Sequence, residues 1–164
     1  MLPCWDARGT TRDVDALVWL EKERWEDFLS AGARFGLLPR LADTLKFARR
    51  TRMLLVRHQA SGIDADIVFG SLPFEAQAIK RARSVKLGGV AFKVPAPEDL
   101  IIMKALAGRP RDVGDIEGLL DTQPKLNLRR IRRCVREFSA ALEKPEILET
   151  LEAMLAQRRK RKQR

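Results

Sequence analysis

Asp13 and Asp15 stand two residues apart at the head of an apolar run that continues through Val14, Ala16, Leu17, Val18 and Trp19. In a strand, the two-residue side-chain period puts both carboxylates on one face and Val14, Ala16 and Val18 on the other. Two carboxylates on one face can share a hard divalent cation such as Mg²⁺ or Mn²⁺. A second apolar run, Ile63 to Phe69, carries Asp64 and Asp66 at the same spacing, with Gly62 and Gly70 as turn residues at its ends. Paired beside the first strand, it could bring a third carboxylate, from Asp66 or Asp64, to the same place. Three convergent carboxylates suit a two-metal phosphoryl-type transfer, in which cations about 3.5–4 Å apart activate a hydroxyl and bind the triphosphate. Spacing alone favours a plainer reading, with Asp13 and Asp15 as turn or cap residues and Asp64 facing solvent.

The elements around these runs read as an alternation of strands and helices. Glu21 to Phe35 is rich in helix formers, with Trp25, Phe28 and Leu29 at helical spacing and Gly36 as a stop. Pro39 to Arg50 reads as a connection or short helix. Arg52 to Arg57 reads as a strand that turns through His58–Gly62 into the strand holding Asp64 and Asp66. Pro73 to Arg83 reads as a helix, and Gly88-Gly89 as a tight turn between strands at 84–87 and 90–94. That Gly-Gly pair lacks the Lys-Ser/Thr of a phosphate-binding P-loop. His58 has no nucleophile patterned around it and reads as a surface residue.

Beyond Pro95 and Pro97, which bar helix before them, Glu98 and Asp99 favour the positive end of a new helix with Leu100, Ile101, Met103 and Leu106 on its apolar face. Gly108 and Pro110 break it. A second helix from Asp112 to Leu120 then sets Asp112 and Asp115 on one side at i, i+3. Residues 127–142 form an amphipathic pattern with Leu128, Ile131, Val135, Phe138 and Leu142 in one stripe and Arg129, Arg130, Arg133 and Arg136 largely outside it. A last helix is expected over 146–157.

The 164-residue chain suits one soluble unit and carries a net charge of +10. Residues 121–164 hold 13 Lys/Arg against 6 Asp/Glu, which concentrates the excess at the C-terminal end. That end attracts polyanions, and the four arginines of the amphipathic stretch are candidate nucleic-acid contacts. No run approaches the roughly 20 apolar residues of a membrane span, and the first residues lack a signal-peptide core. Cys4 and Cys134 are too few and too far apart for a disulfide framework or a zinc site. A cytoplasmic protein is the simple expectation, with Trp5, Trp19 and Trp25 packed in its core or under an N-terminal helix, and with an apolar patch exposed near Leu2, Trp5 and Trp19 where such a helix is absent.

The segments Thr11 to Leu17, Gly62 to Glu75 and Pro97 to Ile116, in that order, resemble the AbiEii-type nucleotidyltransferases of the DNA polymerase beta-like superfamily of minimal nucleotidyltransferases. Several members are the toxin half of a toxin–antitoxin pair. The resemblance spans residues 8–142 and implies transfer of a nucleoside monophosphate from an NTP to a hydroxyl acceptor such as tRNA, other RNA or a protein. It implies that Asp13, Asp15 and Asp66, rather than Asp64, are the catalytic metal ligands, with Mg²⁺ or Mn²⁺ as cofactor. By the same likeness Thr11, Lys104, Arg109 and Asp112 match nucleotide-binding positions, and Asp115 completes the later motif. A cognate antitoxin is an implied partner.

The family helix, strand and Gly-Gly or Gly-Ser turn that precede the aspartate pair have no counterpart here, because the pair comes a dozen residues after Met1. Gly9 stands where a family arginine is usual, and Arg8 is one position early. Two readings follow: the true start lies upstream and the protein is an enzyme, or it is a shortened relative that, where inactive, binds RNA or a partner protein. The expected fold is α/β (α+β), a short mixed nucleotidyltransferase-like sheet flanked by helices, with a C-terminal helical portion. Residues 1–120 would form the core, 121–157 basic helices packed on it, and 158–164 a disordered basic tail.

Overall fold

A computed structural model of the protein describes residues 13–162. Thr11, Cys4, Trp5 and the rest of the segment before Asp13 lie outside the described residues. The fold is mixed α+β, and the described residues form two compact units, 13–81 and 82–162.

The N-terminal unit runs β1 (Asp13–Val18), α1 (Trp25–Ala33), β2 (Leu37–Pro39), α2 (Thr44–Thr51), β3 (Met53–His58), β4 (Asp64–Phe69) and α3 (Pro73–Arg81). A 3-10 turn, Lys22–Arg24, leads into α1. The sheet order is β1-β4-β3-β2, with β1 parallel to β4 and the other pairs antiparallel. Alternation sends Ala16 and Val18 of β1, Ile67 and Phe69 of β4, and Leu54 and Val56 of β3 to one face, where they pack with Trp25 and Ala48 of the helices. The Trp25 ring stacks on Phe69 at 4.1 Å, and Phe28 meets the same ring edge-on at 5.9 Å. Burying an apolar side chain of this size contributes about 1.5–3 kcal/mol.

Two joints fix the register of β3 and β4. Gly36 and Gly62 take positive φ, 75° and 68°, at the turns before and after the β3 region, where a side chain would be strained. Arg52 closes α2 in the left-handed region, and its guanidinium donates to Phe69 O, Ser71 Oγ and Glu75. Glu75 in turn accepts the backbone N–H groups of Ser71 and Leu72, which sets the start of α3. Burial pushes the Glu75 carboxyl up, but those N–H groups and Arg52 outweigh it and hold it below the ordinary range.

The C-terminal unit begins with the hairpin β5 (Arg83–Leu87) and β6 (Val90–Val94), turned through Gly88 and Gly89 at φ 56° and 82°. It continues with α4 (Pro97–Ala107), α5 (Pro110–Thr122), α6 (Leu128–Ala141) and α7 (Pro145–Lys162). Ile101 and Ile102 of α4, Ile116 and Leu120 of α5, Ile131 and Val135 of α6 and Leu151 of α7 make its buried core. Asp99 is fully buried within it and accepts from Arg130 at 2.6 Å.

Four local expectations differ from what is observed. Leu37–Pro39 is a strand, although three residues containing a proline carry no alternation to announce it. Helix α7 runs on to Lys162 instead of ending at Gln157, because Arg158 turns inward to Gln123 O at 3.1 Å and Arg161 reaches Glu117 and Asp121 of α5. Trp19 is 46% exposed, although Trp25 is buried as anticipated, and Leu142 falls off the α6 stripe at 51% exposed.

Candidate active site

The β1–β4 register places Asp13 opposite Asp64 and Asp15 opposite Asp66. Residues paired across parallel strands share a face, so all four aspartates lie on the side of the sheet away from Trp25 and Phe69. Strands lie about 4.8 Å apart, which makes a compact two-by-two array of carboxylates. The carboxylates offer oxygen donors, the kind hard divalent cations take. Among the described residues, no three acidic, His or Cys side chains are drawn together as a metal cage.

Two arginines of the same sheet face hold the β4 pair. Arg40, one residue past β2, donates its Nη1 to Asp64 at 2.8 Å and its Nη2 to Asp66. Arg57 of β3, the register partner of Asp64, donates Nε and Nη2 to it at 2.5 and 3.1 Å. The Arg57 guanidinium, helped by Arg40, keeps the Asp64 carboxyl below its ordinary range against the opposing effect of desolvation. The sequence reading missed both arginines. The signal for Arg57 was parity: it lies on the same face of β3 as Leu55, the partner of Asp66.

A second polar cluster lies wholly within the C-terminal unit. Lys104 on α4 donates to Asp115 at 2.5 Å and to Asp112 at 3.5 Å. Asp112, in the first turn of α5, accepts the Arg109 backbone N–H at 3.1 Å and the Arg109 Nε at 2.8 Å. Asp112 is 1% exposed, whereas the Arg109 and Asp115 side chains reach solvent at 50% and 36%. Burial alone would raise the Asp112 carboxyl, but Arg109 and then Lys104 outweigh it and hold it low. A cleft of about 130 Å³ opens beside it between α4, α5 and α7.

Residues 69–154 match the family model described as nucleotidyl transferase of unknown function (DUF2204). The match covers just over half of the chain. The protein belongs to this nucleotidyl transferase family. No curated protein matches it. The matched segment of the nucleotidyl transferase opens at Phe69, the last residue of β4, and takes in Lys104, Arg109, Asp112 and Asp115. Asp66 lies three residues before the matched segment and Asp15 fifty-four, so Asp13, Asp15 and Asp66 all fall outside it.

The basic helix α6 of the nucleotidyl transferase divides into two kinds of arginine. Arg129, Arg133 and Arg136 are exposed, with Arg133 near Glu137 at 3.9 Å. Arg130 is drawn inward to buried Asp99, and Arg132 pairs with Glu152 at 2.8 Å. Arg130 therefore spends its charge inside the fold, unlike the three others grouped with it from sequence. Among the described residues no helix is long and apolar enough to cross a membrane.

Proposed function

We propose that this nucleotidyl transferase moves a nucleoside monophosphate from an NTP to a hydroxyl acceptor, with Asp13, Asp15 and Asp66 as its divalent-cation ligands. The observation that supports this most is the opposition of Asp15 and Asp66 across β1 and β4, with Asp13 on the same face. When bound, Mg²⁺ or Mn²⁺ would supply the positive charge that lowers the pKa of the attacking hydroxyl and steadies the leaving pyrophosphate.

Asp13 and Asp15 would hold that ion, and Asp66 would bind it as well and take or orient the acceptor proton. The acceptor oxygen forms a bond to the α-phosphorus as the bond to the β-phosphate oxygen breaks, and pyrophosphate leaves. By resemblance Lys104 and Arg109 are the nucleotide-binding cations of the C-terminal unit, where Asp112 and Asp115 hold Lys104 in place. Thr11 is assigned to the nucleotide by resemblance. An AbiEii-type role as the toxin of a toxin–antitoxin pair, acting in the cytoplasm, fits the same chemistry.

The exposed arginines 129, 133 and 136 favour RNA as the acceptor. They also support a second reading, in which the chain is an inactive binding module. The test is calorimetric titration with each NTP, with and without Mg²⁺, followed by transfer of labelled NMP to tRNA. Metal-dependent binding that Asp13→Ala/Asp15→Ala abolishes supports the enzyme. RNA binding with no nucleotide binding supports the module.

A further inference from the structure

We propose that Arg40 is the resident counter-ion of the acidic face, holding Asp66 when no cation is bound and releasing it when a divalent ion enters. This rests on the metal-ligand reading of Asp13, Asp15 and Asp66 given above. Arg40 continues the β2 register past Pro39, and its backbone N–H donates to Leu55 O at 3.0 Å. Leu55 is the partner of Asp66, and Asp66 of Asp15, so Arg40, Leu55, Asp66 and Asp15 form one row across the sheet. The planar fork of the guanidinium spans Asp64 and Asp66, two positions apart on one strand.

Three observations make this a releasable contact. The Arg40 Nε is buried with no hydrogen-bond partner, so the side chain sits here with one donor left unsatisfied. Asp64 has a second guanidinium, Arg57, and stays paired when Arg40 leaves. The Arg40 side chain is 26% exposed, so a path to solvent is open to it. Arg40 and the cation therefore compete for Asp66.

The test is calorimetric titration of the full chain with Mn²⁺, comparing wild type, Arg40→Gln and Asp15→Asn, with thermal melts of each. Loss of a competing charge at this range should tighten Mn²⁺ binding about tenfold or more. Arg40→Gln should also melt lower without metal, and saturating Mn²⁺ should close that gap. A purely structural arginine would lower the melting point and leave Mn²⁺ affinity unchanged or weaker, which overturns the proposal. Wild-type binding that Asp15→Asn abolishes but Arg40→Gln leaves unaltered keeps the metal site and rejects the counter-ion. No Mn²⁺ binding by wild type rejects both. Should Arg40→Gln not fold, wild type is labelled with phenylglyoxal and mapped by peptide mass. Arg40 should react faster with Mg²⁺ present, and equal labelling overturns the proposal.

Discussion

Asp15 and Asp66 lie directly opposite each other on adjacent parallel strands, although fifty residues separate them along the chain. Like charges so placed repel, and such a pairing destabilises the sheet unless a cation or another partner answers it. We therefore predict that Asp15→Asn folds normally and melts no lower than wild type. Its NMP transfer should fall at least about a hundredfold, the scale of losing one charge-stabilising group. A labelled-NTP transfer assay beside a thermal melt checks both parts, and a folded Asp15→Asn with full activity would sink the assignment.

Asp112 should behave in the opposite way. Its carboxylate is buried and answers the Arg109 backbone, the Arg109 guanidinium and Lys104 at once. Asp112→Ala removes the acceptor for all three and should lower stability by about 3 kcal/mol, as for breaking a buried ion pair. Chemical denaturation measures it, and a change under about 0.5 kcal/mol, typical of a surface substitution, would show the cluster to be unimportant for folding.

Arg130 and Arg129 are neighbours with different expected fates. Arg130→Ala leaves the fully buried Asp99 without its guanidinium and should cost about 3–5 kcal/mol. Arg129→Ala on the exposed side should stay within about 0.5 kcal/mol. Urea titration of the two variants side by side tests the division.

The exposed arginines carry the RNA prediction. Replacing Arg129, Arg133 and Arg136 by alanine should weaken RNA binding at low salt. It should also flatten the salt dependence, since each lost contact to a single strand removes about 0.7 from the slope of log K against log salt. Fluorescence anisotropy across a salt series reads this, and an unchanged slope would move the RNA contact elsewhere.

Acid stability follows from three carboxylates held below their ordinary values: Asp64, Glu75 and Asp112. The folded chain binds fewer protons at these groups than the unfolded chain does. Their contribution is therefore complete above the unfolded values of about 4 and is lost as the pH falls through the lower folded values. The melting temperature should stay level from pH 7 to about 5 and fall steeply below about 4. Glu75→Gln should flatten part of that fall; melts across the pH series decide it.

What could be foreseen was local. Alternation announced β1, β3 and β4, the glycines marked their turns, and Pro97 with Gly108 bounded α4. The acidic face was foreseeable from two-residue spacing, but its register was not, because Asp15 meets Asp66 only through a pairing remote in sequence. Arg40 was invisible for the same reason: its role depends on a three-residue strand without periodicity and on a neighbour two strands away. Arg130 looked like its neighbours on a helical wheel. Only the buried Asp99 on α4 distinguishes it, and no spacing within α6 records that.

The parallel pairing of β1 with β4 also orders assembly. β3 and β4 can zip together through a short turn and β2 joins β3 across α2, whereas β1 has no hairpin to close and must wait until the chain through Phe69 is in place. Closing so long a loop is the slow step in building a sheet. The acidic face is then the last part of the N-terminal unit to form. A nascent chain stalled before β4 would carry Asp13 and Asp15 on an unpaired segment, and the unit would gain its charge-dense surface only in the final event of its folding.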